Sequence, residues 1–415
     1  MDKTYKIDIE DIANKPLLDA TNPQILTPNY ILDNKHLTIK ISLSTLDKIL
    51  SSTIFCFLIA CCWRGTSGII DVYGHYFPYL ESLILSVSIF LVMALTQRYF
   101  HNIAFQSKCL TFALAKTYFF IGYIATILHF RSLWAYYDVV DEEFYEFGAR
   151  WYVPRSTCSV ALLIIASTCL AGIRGVVNLN TSPMSINADV KEEDFVVDFA
   201  FFKMGEKTFL YILDCIFSIL IVGTLVVFVW RGSWLLIDIF LFPDDFTLSS
   251  WSSLALGYAI VATAFLLQPI MRYICERLTG TARLLVADIF IIFALFGTVN
   301  VWRGIWNLLD IYFLPDNREL SCWICHWVSL IILVLCRCSN SLLIRGVYID
   351  AEEPEGKCVI FPCYYLRILF GKKKLEKLNL DAEAMKIHAK ENEATSNKIN
   401  TISNTVEENP TKEPK

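Results

Sequence analysis

Residues 230–245 read WRGSWLLIDIFLFPDD and residues 302–317 read WRGIWNLLDIYFLPDN. In both, a Trp-Arg-Gly phrase closes a long apolar run, a second tryptophan follows (Trp234, Trp306), and a Pro-Asp turn ends the stretch. Asp238 stands seven residues after Arg231, and Asp310 seven after Arg303. Two earlier copies share the frame: Trp63-Arg64-Gly65 with Asp71, and Phe130-Arg131-Ser132 with Trp134 and Asp138. An Arg-to-Asp spacing of seven, recurring four times at the end of an apolar run, marks an internal repeat.

Working outward, the apolar runs are long enough to cross about 30 Å of hydrocarbon as helices. Eight are legible, near 44–63, 80–97, 109–130, 156–174, 208–230, 251–271, 283–302 and 321–344. Hydrophobic residues make up 55% of the 415-residue chain, charged residues 19%, and the mean hydropathy is +0.47. That balance excludes a soluble enzyme and a disordered scaffold, and a net charge of −5 gives no reason to expect nucleic acid as a partner. Residues 1–43 are polar and lack a short apolar signal core, so the first span is expected to direct insertion.

The even-numbered runs repeat as well. Arg98-Tyr99 matches Arg272-Tyr273, and Arg174-Gly175-Val176 matches Arg345-Gly346-Val347. These correspondences predict an all-α polytopic membrane protein of eight transmembrane helices in two parallel four-helix halves, built from four helical-hairpin repeats. The expected divisions are an N-terminal tail (1–43), a first half (44–177), a polar linker (178–207), a second half (208–347) and a C-terminal tail (348–415). The excess of Lys and Arg in the tails and even-to-odd loops places both termini in the cytoplasm, where the sequon Asn180-Thr181-Ser182 would go unused.

On a helix, seven residues are two turns, about 10 Å, which separates Arg and Asp within one copy and invites pairing between copies. Arginine suits such pairing because its planar fork grips a carboxylate. The Trp or Phe before each arginine is expected in the aromatic belt at headgroup level, and His129 with it. The motif reads as a structural clamp with interfacial anchors, as a charged vestibule that selects or gates a solute, or as a docking surface for an extracellular partner. A second set of ionisable residues lies inside the spans: Asp47, Lys116, Asp214 and Asp288. Such groups are costly in lipid and point to function, with a Lys116–Asp288 pair as the attractive arrangement. The alternative is interfacial, since all four lie within a turn or two of the cytoplasmic helix ends, where Lys can snorkel and Asp is favoured by the helix N-terminus. Catalytic residues, a metal site and a cofactor are not expected. Cys322 and Cys325 have CxxC spacing without a second ligand pair, and Cys358 and Cys363 are candidates for acylation. Lys372, Lys373 and Lys374 open a basic amphipathic stretch suited to anionic inner-leaflet lipids.

The WRG phrases, with DIFLFPDD at 238–245 and DIYFLPDN at 310–317, resemble the Fuseless family of invertebrate transmembrane proteins over residues 45–347. The resemblance implies an eight-pass neuronal protein of the presynaptic membrane, needed for calcium-channel organisation at active zones and for transmitter release. It supplies no catalytic or ligand residues. A transporter or channel for a small solute is the alternative that the duplicated halves suggest. The first copy departs from the pattern with Ser67 in place of the second tryptophan, and the second copy reads FRS in place of WRG.

Overall fold

A computed structural model describes residues 43–104, 108–187, 189, 208–343, 356–368 and 370. Eight helices are long and apolar enough to cross a membrane. They are α1 (Leu43–Val72), α2 (Tyr79–Ala104), α3 (Lys108–Ala149), α4 (Arg155–Gly172), α5 (Phe209–Phe240), α6 (Phe246–Arg277), α7 (Gly280–Tyr312) and α8 (Arg318–Leu335). Residues 44–363 form one compact unit. The two chain ends belong to a separate unit, in which Arg367 lies 4.3 Å from the Tyr364 ring centre. No strand occurs among the described residues.

The helix ends follow from local chemistry. Pro243 and Pro315 cannot continue a helix, and Asp245 and Asn317 then cap α6 and α8 by accepting from Leu248 N (2.9 Å) and Leu320 N (3.0 Å). α4 and α8 stop in the same way. Arg174 and Arg337 each take a left-handed conformation (φ 56°), and the next amide turns back, Gly175 N to Leu170 O and Cys338 N to Leu333 O, both at 2.9 Å. The end of α4 therefore corresponds to Arg337. The Arg-Gly-Val match in the sequence had aligned it with Arg345, which lies outside the described residues.

Packing sorts the helices by parity. α1 packs against α3 and α7, and α5 packs against the same two, closing a ring of four odd-numbered helices. Each even helix leans on the next odd one: α2 on α3, α4 on α5, α6 on α7 and α8 on α1. The apolar windows of the odd helices are 44% to 61% buried, against 22% to 39% for the even ones, so the odd helices are the inner layer. α1 and α5 each contain one π-helical stretch, Ser51–Phe55 and Ser218–Val222, separated by the same 167 residues as Arg64 and Arg231.

Three stretches depart from the sequence reading. The eighth span ends at Leu335, and residues 339–342 form a 3₁₀ turn with Ser339, Asn340 and Leu342 buried. Residues expected to begin a polar linker are folded into the body, with Leu179, Ser182, Met184 and Ile186 buried. Residues 356–363, assigned to a tail, also pack there, with Phe361 5.8 Å from Phe265 and 5.4 Å from Phe290 between ring centres. An apolar sequence can be buried by entering lipid or by folding under its neighbours; composition does not separate the two. Non-helical backbone is tolerated at depth when protein covers it.

Candidate functional site

The four motif arginines sit near the far ends of the odd helices, and each donates to the aspartate of the preceding copy. Arg64 Nε and Nη2 reach Asp310 Oδ1 at 2.9 and 2.7 Å. Arg131 Nε reaches Asp71 Oδ1 at 2.5 Å, Arg231 Nε reaches Asp138 Oδ1 at 2.6 Å, and Arg303 Nε reaches Asp238 Oδ1 at 2.8 Å. The sequence closes on itself, the first copy gripping the last. Within a copy one contact also forms, Arg231 Nη1 to Asp238 Oδ2 at 3.8 Å, because the long side chain spans a gap that helix rise alone makes too wide. The arginine side chains are 2% to 16% exposed and their aspartates 38% to 45%. Charge is thus buried on one side of each pair and wetted on the other.

The remaining arginine donors bind the same preceding hairpin. Arg303 Nη2 donates to Ser249 Oγ (2.8 Å) and Arg64 Nη1 to Ser321 Oγ (3.2 Å), while the two serines donate to Leu241 O and Phe313 O. Both serines stand eleven residues after the paired aspartate, as does Ser82 after Asp71. That Asp-to-Ser spacing was a legible signal which the motif reading passed over. Arg131 differs: it donates to Phe77 O at 3.0 Å and lies over the Tyr79 ring at 4.4 Å.

The aromatic residues of the motif are not in a lipid-facing belt. Trp230 and Trp302 are buried, and Trp302 meets Trp63 and Trp230 edge to face at 5.7 and 5.6 Å. Trp63 also meets Phe130 at 5.2 Å. One helical turn farther along, Trp234 contacts Trp134 at 5.5 Å and Trp306 at 6.2 Å, with Ser67 standing at the fourth such position. These residues turn inward because their helices form the inner layer, where large rings fill the volume between four backbones. Trp63 Nε1 donates to Leu342 O and Trp302 Nε1 to Ser182 O, at 3.2 and 2.7 Å. Both carbonyls belong to the folded stretches that follow α8 and α4.

The glycine of the motif serves the even helices. A Cβ on Gly65 would lie 2.5 Å from His326 N, and one on Gly304 would lie 2.8 Å from the Leu254 backbone. On Gly232 it would lie 2.9 Å from the Tyr137 hydroxyl and 3.4 Å from Leu163. One phrase therefore sets three contacts: an aromatic ring fills the interior, the arginine grips the preceding hairpin, and the missing side chain admits a neighbouring helix. Beyond the end of α1, Tyr73 donates to Glu319 at 2.5 Å, which holds its phenol above the ordinary value.

The intramembrane charges assort differently from the expected pairing. Lys116 Nζ donates to Asp189 Oδ2 (2.6 Å) and Ser339 Oγ (2.8 Å), not to Asp288. Asp189 also accepts from Ser339 Oγ and Asn340 N, so it ties α3 to both folded stretches. Asp189 was hidden from motif reasoning because it lies outside every span. Asp47, Asp214 and Asp288 are buried, and Asp214 accepts from Ser218 Oγ at 3.3 Å. His129 is buried and within 3.3 Å of Ser86 Oγ; it is not a belt residue. His326 lies 2.8 Å from Thr66 Oγ1, and that hydroxyl is 2.7 Å from the Tyr123 hydroxyl. Cys358 and Cys363 are buried, and burial pushes the Cys358 thiol up to about 11, against the expectation that they are open to acylation. Lys372, Lys373 and Lys374 lie outside the described residues.

This fold and its ring define a polytopic membrane protein of eight apolar helices. The family model described as Fuseless matches residues 42–343, nearly three quarters of the chain, so the protein belongs to the Fuseless family. No curated protein and no solved structure matches it.

Proposed function

We propose that this chain is a non-catalytic presynaptic protein of the plasma membrane, with both termini cytoplasmic, that supports voltage-gated calcium-channel organisation at active zones. In this reading the Arg/Asp motif is a clamp that holds four hairpins as one body. The carrying observation is the closed cycle of four interhelical ion pairs around contacting tryptophan rings. A centre filled with indoles suits a rigid platform better than a path for solute. Family membership supports the synaptic part. The two four-helix halves arose by duplication in this reading, and the 167-residue offset shared by the motif and the π-helical stretches supports that origin. The lysines 372–374 hold the tail on anionic inner-leaflet lipid.

The test is presynaptic calcium-channel abundance in a null animal rescued with wild type or with Arg231→Ala/Arg303→Ala at matched surface level. Loss of channels in the null, restored by both versions, fits an organiser with a scaffold motif. Unchanged channel abundance in the null removes the reading.

A transporter or channel is the second reading, favoured by one observation: 3₁₀ and irregular backbone at 176–186 and 339–342 is folded among helices that carry buried Asp47, Asp214 and Asp288. Broken backbone near buried charge is how many transporters bind solutes. Flux into proteoliposomes that Asp288→Asn abolishes would favour it; flux equal to that of empty liposomes would dismiss it.

A further inference from the structure

Three of the odd helices end almost at their aspartate: α1 stops one residue after Asp71, and α5 and α7 stop two residues after Asp238 and Asp310. α3 runs on for eleven residues beyond Asp138, to Ala149, about 16 Å at 1.5 Å per residue. This extension breaks an otherwise even set of four turns, and insertions into one unit of a repeat commonly form its binding face.

The extension is built to stand firm. Asp141, buried in its base, accepts from Ser159 Oγ at 2.8 Å and from Arg155 at 3.3 Å. Gly148 sits against Cys158, where a Cβ would be 2.6 Å from the sulfur. The tip turns back through Val153 N to Gly148 O (3.1 Å) and Tyr152 N to Ala149 O (3.0 Å). Its left-handed residue is Tyr152, φ 58°, at the position that glycine normally fills. Tyr152 is 96% exposed, Trp151 72% and Phe147 60%. A bulky residue in that conformation is strained, and an exposed ring recovers none of the strain through packing.

Beside them Glu142, Glu143 and Glu146 are exposed. Arg155 pairs with Glu142 at 3.0 Å, whereas Glu143 and Glu146 form no ion pair among the described residues. Counting Asp141 and the two arginines, Arg150 and Arg155, the extension keeps two negative charges in excess. We propose that the α3–α4 tip is a docking surface for a basic, amphipathic polypeptide segment of a partner protein, with Phe147, Trp151 and Tyr152 supplying apolar contact and Glu143 and Glu146 the charge complement. This goes beyond the organiser reading and does not depend on it.

The test uses the full chain in phosphatidylcholine nanodiscs and a fluorescent amphipathic Lys/Leu peptide as probe, with empty nanodiscs subtracted. Saturable binding that weakens with salt is expected, reduced by about tenfold, or 1.4 kcal/mol, in Glu143→Gln/Glu146→Gln. Tyr152→Gly should raise the unfolding midpoint, since glycine accepts the left-handed turn, while weakening the peptide complex. Equal binding by wild type and the charge variant, or none by either, overturns the proposal. So does quenching of Trp151 by brominated acyl chains, which would put the tip in lipid.

Discussion

Asp310 and Arg64 show how unequal the two members of a motif pair are. The arginine side chain is 3% exposed and the carboxylate 40%. Removing the carboxylate strands a buried cation, whereas removing the arginine leaves an acid that water can solvate. Asp310→Ala should therefore cost about 3 kcal/mol, near the lower end for breaking a buried pair, and Arg64→Ala less. The pairing also fixes which double mutants couple. Arg64 with Asp310, from different copies, should show an interaction energy of at least about 1 kcal/mol, and Arg64 with Asp71, from the same copy, should be additive within about 0.5 kcal/mol. Unfolding of the four proteins in each cycle, in mixed detergent micelles, measures both. Stronger same-copy coupling would contradict the observed exchange of partners.

At the scale of the helix, the motif glycine decides how closely two backbones approach. At Gly304 an added Cβ would fall 2.7 Å from Leu254 Cβ and 2.8 Å from its backbone, so no side-chain rotation relieves it. Gly304→Ala should destabilise by about 1–3 kcal/mol, as overpacking does. Gly172, near the end of α4, meets nothing within 4 Å, and Gly172→Ala should be neutral or slightly stabilising. Equal unfolding midpoints for the two variants would show that the glycine is not a packing contact. The same scale shows what was legible in the sequence. Span number and the recurrence of Arg and Asp came through, because lipid length and identical spacing are one-dimensional properties. Which face each residue turns did not. Trp302 and Trp230 look the same on paper whether they anchor in headgroups or meet inside, and only the inner-layer position of α7 and α5 chooses. Asp189 escaped notice for a related reason: its partners Lys116 and Ser339 are 73 and 150 residues away.

For the whole molecule, the decisive contact is the one between the chain's beginning and its end. α8 packs along α1, Gly65 and Gly68 lie against Cys322, and Arg64 binds both Asp310 and Ser321. The first hairpin is thus held by the last as firmly as by its successor in sequence, and a circular arrangement of this kind has no end repeat to fray. Long-range closure should also replace chain connectivity. If the chain is cut after residue 198 and the two fragments are co-expressed, each keeps two arginines and two aspartates of the cycle. Two of the four pairs, Arg64–Asp310 and Arg231–Asp138, then join the fragments. Lys116 and Asp189 stay together on the first piece, and Ser339 bonds to both from the second. The fragments should co-purify as a one-to-one complex and unfold in a single transition. Adding Arg64→Ala and Arg231→Ala should abolish co-purification while the same pair in the uncut chain still yields folded protein, because the connected chain keeps a high effective concentration of one half for the other. Fragments that fail to associate with the cycle intact would mean that the ring is a consequence of connectivity and not one of the forces that closes the bundle.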